Sequence, residues 1–527
     1  MKTLSKSFLA LAAFALVSTT AAQATSVLHI SGSTAFRSAT INAVANVLTS
    51  PTAVYYGSSL AGANDLAFQG TYAGNTVQVE LHFSGSLTGI AGLTAPASNN
   101  YNFCKYQASG TTVTPGGQSN FYSPYGLNPG AGGGFQIASS GSPAAGNSTT
   151  TDTSPTDVGF SDAFQNTAAL VTAVAKSSPA LVDTKVGILP FAFLKGSANT
   201  SDNAVNIAGG GTDTYTDYQE WQQITDISSN NVATLYGSGG LDTQLLTGNI
   251  ADETGVTAVG RDEDSGTRIA AFAESGFGVS STPTQYEITT SGGASTGPDA
   301  VVASVVAQAN SSFPTISGGY SSGGNVAAAL ATTGWDSVGN TYAIAYLGAS
   351  DTDTAVTEGY EITANVTSIT GGNTYTAHAL TGSGVTNTVA VGDNVYYDSP
   401  TSTAIGTVTA VNTSTLAVTV STTLASGHNI LVDTLTGTGY VRPAFLTYNG
   451  VPLTKANIVA GKYTFWEYEH FFYPTSFTSN ANYALATAIK SNLISSGARV
   501  AGYLLSDLTG ANGTPTKSQE GATINLQ

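Results

Sequence analysis

The sequence contains very few of the residues that build disulfides and metal sites. Among 527 residues there is one cysteine, Cys104, and there are 5 histidines. A single cysteine cannot close an intramolecular disulfide, so stability must come from burial of a core. No group of histidines and carboxylates has the spacing of a metal site, which argues against a metal-dependent phosphatase. We therefore expect no metal and no cofactor.

Positive charge is also scarce. The chain has 15 Lys and Arg residues against 32 Asp and Glu residues, a net charge of −17. Nucleic acids and anionic membranes require a basic patch, and because the sequence has none, both are excluded as partners. An acidic protein can still bind a small anion, since N–H dipoles and one arginine in a dry cleft outweigh surface charges that salt screens.

Long apolar runs are missing beyond the beginning of the chain. Residues 1–24 carry Lys2 and Lys6, an apolar run over 8–17, and small residues that end at Ala24. This pattern predicts a secretory signal peptide cleaved after Ala24. The run is too short to span a membrane, and no other stretch approaches the ~18 apolar residues that a span needs. We expect a periplasmic or secreted mature chain that is not inserted in a membrane.

What the sequence has in abundance is core-forming residues, at 41% hydrophobic, together with 60 glycines. This length predicts two or three domains. Residues 98–156 mix Gly, Ser, Thr and Pro with aromatics, which is typical of a long surface loop that packs against something. Residues 358–439 show short alternating strands broken by Gly, Asn and Ser, which predict a small all-β module, an SH3-like barrel that serves as a spacer or contact module.

The most informative stretch runs from Val256 to Glu274. It predicts a buried strand, a turn that carries Arg261, and a helix that Ser265-Gly266-Thr267 open and Gly276 ends. Unpaired N–H groups, the positive end of the helix dipole, two hydroxyls and the arginine would together bind an anion. The alternative is that Asp264 or Ser265 is simply the N-cap of the helix.

Two further strand-to-helix switches carry hydroxyls at the predicted helix start. In the first, Val27–Ile30 leads to Ser31–Thr34, and in the second, Val77–Leu81 leads to Ser84-Gly85-Ser86. A later segment ends in Asp162 before another helix, for which Asp162 is a possible N-cap. His82 is interpreted as a paired structural histidine, because no second metal ligand lies at suitable spacing.

Taken in chain order, these segments resemble the periplasmic phosphate-binding proteins of ABC transport, the type II solute-binding family. The matching pieces are ISGSTAF, FSGS, DVGFSDAF, VGILPFAF, ITDISSNNVATLYGSG, VGRDEDSGT, GGNVAAAL, NTYAIAYLG and VPLTKANIVAGKYTFWEYEHFFYP. The resemblance implies an α/β fold of two lobes joined by crossing strands, with the all-β module inserted. It implies these units: lobe I at 25–164 with the loop insertion 98–156, lobe II at 165–350, the module at 358–439 and a return to lobe I at 440–510. Residues 511–527 are rich in Gly, Thr and Ser, and this composition predicts a flexible tail.

The resemblance also implies a phosphate site. Its residues would be Thr34, the Ala35 amide, Ser86, Asp162, Arg261, Ser265, Gly266 and Thr267, with Glu263 holding Arg261 in position. A buried Asp162 carboxylate can only accept hydrogen bonds, so it would admit a protonated phosphate oxygen and reject fully ionised sulfate. The implied protein is a monomer without catalytic activity that captures inorganic phosphate, with an ABC transporter permease as its possible partner.

A second function remains open from the sequence. A secreted surface or matrix protein could reuse the fold for adhesion, with the two insertions making the contacts. The insertions and the low charge favour this alternative. The arginine and the aspartate aimed at one cavity favour phosphate capture, because a scaffold needs helix caps but neither of these residues. The first insertion is expected to lie beside the cleft, where it could cap, narrow or block it.

Overall fold

The computed structural model describes the greater part of the chain. The described residues are 25–56, 60, 62–96, 101–107, 110–114, 138–140, 151–171, 175–200, 216–291, 300–308, 318–336, 338, 341–357, 360–363, 372–377, 380, 388–397, 403–425, 428, 430–434 and 440–527. The predicted signal peptide, most of the aromatic loop 98–156 and parts of the all-β module lie outside them. Within this portion, no helix combines the length and apolar character needed to cross a membrane.

The first half of the molecule contains the first two predicted strand-to-helix switches. Its elements are β1 (Ser26–Gly32), α1 (Arg37–Val47), β2 (Thr49–Tyr55), β3 (Asp65–Tyr72), β4 (Asn75–Phe83), α2 (Ser86–Thr94), β5 (Tyr101–Cys104), β6 (Thr111–Thr114), β7 (Ala138–Ser140), β8 (Thr151–Ser154), β9 (Val158–Ser161) and α3 (Gln165–Val171). β1 lies between β4 and β9 and is parallel to both. The carboxyl ends of these three strands therefore meet at one edge, where Ser86 and Asp162 follow β4 and β9.

The second half contains the predicted Arg261 element. Its elements are β10 (Val182–Lys195), β11 (Ala198–Asn199), α4 (Asp217–Gln223), β12 (Asp226–Ile227), α5 (Ser229–Ser238), β13 (Gly240–Asp242), α6 (Gln244–Thr247), β14 (Gly255–Ala258), α7 (Gly266–Ser275), β15 (Tyr286–Ser291), β16 (Val301–Ala307), α8 (Gly323–Ala331), β17 (Thr341–Gly348) and α9 (Ala349–Thr357). α7 begins and ends where the sequence predicts, and Gly276 closes it in the left-handed conformation with φ 74°. β14 is parallel to β17.

The all-β character of the inserted module is confirmed among its described residues. The strands are β18 (Tyr360–Thr363), β19 (Thr374–Thr376), β20 (Asn394–Tyr397), β21 (Gly406–Asn412), β22 (Ala417–Val420) and β23 (Ile430–Asp433). They form one sheet in the order β18-β23-β20-β21-β22-β19. The module has its own hydrophobic core, which includes Val395, Val418 and Val432. Closure into an SH3-like barrel stays a prediction, since β18 and β19, the two edge strands of this sheet as described, do not pair with each other.

The last part of the chain returns to both halves. Its elements are β24 (Tyr440–Val441), β25 (Ala444–Phe445), β26 (Thr447–Tyr448), α10 (Lys455–Val459), β27 (Trp466–Tyr473), α11 (Tyr483–Ser495), β28 (Pro515–Thr516) and β29 (Asn525–Leu526). β24, β25 and β26 pair with β11, β10 and β12 of the second half. The return to the first half therefore comes later than the expected residue 440, at β27.

Two long strands, β10 and β27, join the halves. They pair with each other from Val182↔Tyr473 to Pro190↔Trp466, and β27 also pairs with β9. The end of β10 then pairs with β17 of the second half. The result is a large mixed sheet in the order β13-β14-β17-β10-β27-β9-β1-β4-β3-β2-β6-β7, flanked by helices. A mixed α/β fold is thus confirmed, and its two crossing strands lie between the predicted site residues.

The carboxyl-terminal tail differs from the expected flexible segment. The Nζ of Lys517 is fully buried and lies 2.9 Å from Glu467 and 3.2 Å from Glu274. Glu520 accepts hydrogen bonds from the backbone N–H of Phe164 and from Thr167. Composition rich in Gly, Thr and Ser predicts fraying, but buried ion pairs and hydrogen bonds hold this tail to both halves.

Candidate functional site

Helix α7 begins where the two halves meet. Ser265 is its N-cap, and the Ser265 hydroxyl accepts a hydrogen bond from the backbone N–H of Arg268 at 3.3 Å. The N-cap interpretation of Ser265 is therefore confirmed, although Asp264 has another role described below. The first N–H groups of a helix have no acceptor within the helix, so Gly266 and Thr267 present theirs at the positive end of the dipole. Both residues are buried.

Arg261 is held rigidly beside this helix start. Its Nε donates to the carbonyl of Tyr320 at 3.0 Å, and its Nη2 donates to the carbonyl of Ser321 at 3.1 Å. The same Nη2 donates to the hydroxyl of Thr34, in the first half, at 3.3 Å. With only 2% of its surface exposed, Arg261 lies in a largely dry environment. Two predicted site residues from opposite halves are thus in contact.

Asp162 and Ser86 lie against the other side of the same helix start. The hydroxyl of Ser86 donates to Oδ1 of Asp162. A Cβ placed on Gly266 would lie 1.7 Å from that Oδ1, so the close approach requires glycine at the first position of α7. Burial raises the pKa of Asp162, while the Ser86 hydrogen bond and the Arg261 charge oppose the shift. Oδ2 has no hydrogen-bond partner among the described residues and remains available to a ligand.

Asp264 fastens the two halves together at the start of α2. Its Oδ1 accepts from the backbone N–H of Thr88 at 2.7 Å, and its Oδ2 accepts from the hydroxyl of Ser84 at 2.7 Å. Its carbonyl accepts from the N–H of Leu87 at 3.2 Å. α2 has no side-chain cap of its own, since its N-cap is Gly85. A carboxylate from the second half therefore satisfies the N-terminus of a helix in the first.

Three further carboxylates lie near the site, and sequence reasoning did not assign them to it: Glu469 and Asp262 are buried, and Asp351 is partly buried. Glu469 of β27 is fully buried, and neither of its oxygens has a well-directed hydrogen bond within the described chain. Burial raises its pKa well above the ordinary value, and the neighbouring Asp162 charge raises it further. Burial also raises the pKa of Asp262 to about 7 and that of Asp351, against the opposing charge of Arg261.

The sequence holds a signal for Glu469. Glu467 and Glu469 alternate with aromatic residues in a strand whose every residue is buried. A carboxylate inside such a strand needs a partner or a proton, which marks it for attention. Asp351 is harder to find, because it lies far from Arg261 in the chain. A Cβ on Gly323 would lie 1.8 Å from Oδ2 of Asp351, which places the carboxylate at the start of α8.

The predicted site residues converge with few exceptions. Thr34, Ser86, Asp162, Arg261, Ser265 and Gly266 make the contacts described above. Ala35 and Thr267 are buried, and Glu263 is partly exposed. The role of Glu263 in holding Arg261 stays a prediction. Most of these side chains are therefore buried in this arrangement of the two halves.

Comparison with known proteins gives distant structural matches. No family model and no curated protein matches the chain. One match is a proposed phosphate ABC transporter substrate-binding protein with bound phosphate from Clostridium perfringens. It is 9% identical, and the match covers 89% of this chain and 97% of that chain with a TM-score of 0.32. An ABC-type phosphate transport receptor from Vibrio cholerae is 9% identical, and the match covers 90% of this chain and 99% of that chain with a TM-score of 0.33. A proposed phosphate-binding protein from Planctomyces limnophilus is 10% identical, and the match covers 90% of this chain and 98% of that chain with a TM-score of 0.31. TM-scores this low do not establish a shared fold.

Proposed function

We propose that this protein is exported and binds inorganic phosphate in the cleft between its two halves, without catalysing a reaction. The observation that carries the proposal is the meeting of four distant segments at the start of α7. Arg261 and the N–H groups of Gly266 and Thr267 supply donors and positive charge, and Ser86 and Asp162 face them. Such an arrangement replaces the water shell of an oxyanion with fixed dipoles.

The buried carboxylates define which anion fits. An ionised Asp162 would repel any ligand whose oxygens only accept hydrogen bonds, because two acceptors would then face each other. A phosphate oxygen that carries a proton can donate a hydrogen bond to Asp162. Phosphate at neutral pH satisfies this requirement and sulfate does not. We infer that the site selects phosphate, or an anion of the same shape and protonation, over sulfate.

Delivery to an ABC transporter permease is the use that the sequence resemblance implies for a captured phosphate. Separation of the halves would break the Asp264 contacts to α2 and the Arg261 contact to Thr34, and closure would restore them. Both contacts join the halves beside the site, so closure and binding would be coupled.

The test is calorimetric titration of residues 25–527, freed of bound anion by dialysis, first with phosphate and then with sulfate. We expect phosphate affinity in the micromolar range or tighter and no heat with sulfate. Arg261→Ala should weaken phosphate binding by about 100-fold, because charge-assisted hydrogen bonds are the strong ones. Arg442→Ala is the matched control, since Arg442 is paired with Asp433 away from the cleft. No heat from folded wild-type protein would overturn the proposal.

The alternative function, adhesion through the insertions, has one structural observation in its favour. The inserted module has a hydrophobic core separate from that of the two halves, as expected of a unit that makes contacts of its own. If the titration gives no heat, deletion of the module followed by measurement of surface attachment becomes the decisive experiment. Loss of attachment in a folded deletion variant would support adhesion.

A further inference from the structure

A second polar cluster lies in the first half, away from the start of α7. His29 of β1 and Glu80 of β4 are directly opposed in the parallel pairing of these strands. Asp152 comes from β8, a strand of the first insertion that pairs with β5. The three side chains are brought together by the fold alone, since they are far apart in the chain and belong to no motif.

The distances within this cluster are those of ligands around one ion. Nε2 of His29 lies 3.4 Å from Oε2 of Glu80 and 3.4 Å from Oδ2 of Asp152. All three ligand atoms lie within 4.8 Å of one another. A tetrahedral ion with bonds of about 2.0–2.2 Å separates its ligand atoms by roughly 3.3–3.6 Å. Two of the three separations therefore match the edges of such a tetrahedron.

The same atoms lack other partners. Glu80 is fully buried, and within the described chain neither of its oxygens nor Nε2 of His29 makes a hydrogen bond. The group that faces the buried Glu80 carboxylate is the His29 ring, at 3.4 Å. A cation placed between these atoms would replace that pairing with direct bonds to all three side chains. Ser154 donates to Oδ1 of Asp152 at 3.0 Å, which leaves Oδ2 facing the cluster.

Asp157 orients the histidine as a supporting residue does in metal sites. Oδ2 of Asp157 accepts from the backbone N–H of His29 at 3.0 Å and lies 3.5 Å from Nδ1 of the ring. A carboxylate on one ring nitrogen directs the other nitrogen toward the ion, which is the usual arrangement around metal-bound histidines. The ring of Phe103 packs 4.8 Å from that of His29 and restricts it further.

From these observations we propose that His29, Glu80 and Asp152 bind one divalent transition-metal cation. One imidazole nitrogen and two carboxylate oxygens suit Zn²⁺ and similar ions, whereas Mg²⁺ and Ca²⁺ prefer oxygen ligands alone. Asp152 is one-third exposed, so the ion can be reached from the surface. The proposal revises the expectation of no metal, and it does not depend on the proposed phosphate function.

The ion would have a structural role, which is to anchor the first insertion to the central sheet. Asp152 and Tyr101 lie on the paired insertion strands β8 and β5. The hydroxyl of Tyr101 donates to the carbonyl of Thr88 at 3.1 Å, and the N–H of Thr88 donates to Asp264. A metal-held insertion would therefore support the start of α2, where the two halves meet.

The experiment uses the mature full chain after dialysis against EDTA, titrated with ZnCl₂ and separately with MgCl₂, with thermal melting of each form. We expect one equivalent of Zn²⁺ to bind, little or no Mg²⁺ binding, and a higher Tm with Zn²⁺. Asp152→Asn and Glu80→Gln should each weaken Zn²⁺ binding at least tenfold. Asp183→Asn is the matched control, because Asp183 has similar exposure and is paired with His470 elsewhere.

Each outcome decides the proposal. Zn²⁺ binding that is lost in Asp152→Asn and kept in Asp183→Asn supports it, and Asp152→Asn remains informative if the buried Glu80→Gln variant fails to fold. Absence of Zn²⁺ binding in folded wild-type protein overturns it. Equal Zn²⁺ binding by wild type and Asp152→Asn, or binding of Mg²⁺ in preference to Zn²⁺, overturns it as well.

Discussion

Helices α2 and α7 both begin after a strand and a short turn, and both N-termini lie where the two halves meet. α2 has no side-chain cap of its own and accepts the Asp264 carboxylate from the opposite half. α7 has its own cap in Ser265, and its first residues face Ser86 and Asp162 instead. The same local motif thus makes a structural contact at one helix and a candidate binding site at the other. What distinguishes them is whether a fixed carboxylate already accepts from the helix N–H groups.

Substitution of the two glycines at these helix starts should give the largest difference in phosphate affinity. In Gly266→Ala, the new methyl group would displace the Asp162 carboxylate, so phosphate affinity should fall by about 100-fold or more. In Gly85→Ala, the methyl group would press on the carbonyl of Asp264, 2.4 Å away, and weaken the contact between the halves. Its effect on phosphate affinity should be smaller. Titration of both variants measures this, and equal losses would contradict the assignment of the site to α7.

Replacing Asp162 by asparagine tests selectivity at α7. The amide keeps the size of the side chain but replaces one acceptor oxygen by an NH₂ donor, so an anion without protons can accept a hydrogen bond there. We expect phosphate affinity to fall by roughly tenfold and sulfate binding to become measurable. Asp507→Asn is a control, since that carboxylate is paired with Arg499 away from the cleft. Continued rejection of sulfate by Asp162→Asn would show that another group selects the ligand.

The α2 contact should affect stability more than binding. In Asp264→Asn, the carboxylate that accepts from Thr88 and Ser84 loses its charge, and stability should fall by about 1–3 kcal/mol. Denaturant unfolding gives the change in the free energy of unfolding. An unchanged midpoint would mean that this contact does not stabilise the closed arrangement of the halves.

Much of this comparison can be predicted from sequence, because its parts are local. A strand, a turn of small residues and a periodic helix are written in consecutive residues, and α7 begins and ends where the pattern places it. The all-β character of the inserted module follows in the same way from alternation. For the tail, the Gly- and Ser-rich composition predicts flexibility, but the prediction is wrong. A few buried groups such as Lys517 hold the whole segment against the rest of the protein.

Contacts between segments that are distant in the chain could not be predicted from local sequence patterns. Asp264 offers the signal of an N-cap and caps a helix, but the helix is α2 rather than its own. His29, Glu80 and Asp152 have no spacing that marks them, because their proximity comes from parallel strand pairing and an inserted strand. Sequence reasoning finds the groups that a motif holds together and misses those that only the sheet brings together.

The turns before the two helices also differ in acidity, which predicts a modest pH dependence of stability. The α7 turn contains Asp262, whose pKa burial raises to about 7, whereas the α2 turn of Ser84 and Gly85 has no titratable side chain. The folded state therefore holds a proton on Asp262 that the unfolded state loses above about pH 4. Stability should fall as the pH rises from about 4 to 7 and level off above that range.

The variant Asp262→Asn separates this contribution from the rest of the protein. It removes the titrating group but keeps its shape, so the fall in Tm between pH 5 and pH 8 should become smaller than in wild type. It should not vanish, because burial also raises the pKa values of Asp162 and Glu469. Thermal melts across this range, in buffers free of phosphate, give the measurement. A pH dependence equal to that of wild type would mean that Asp262 is ionised in the folded protein, with Arg261 and Arg268 holding its charge.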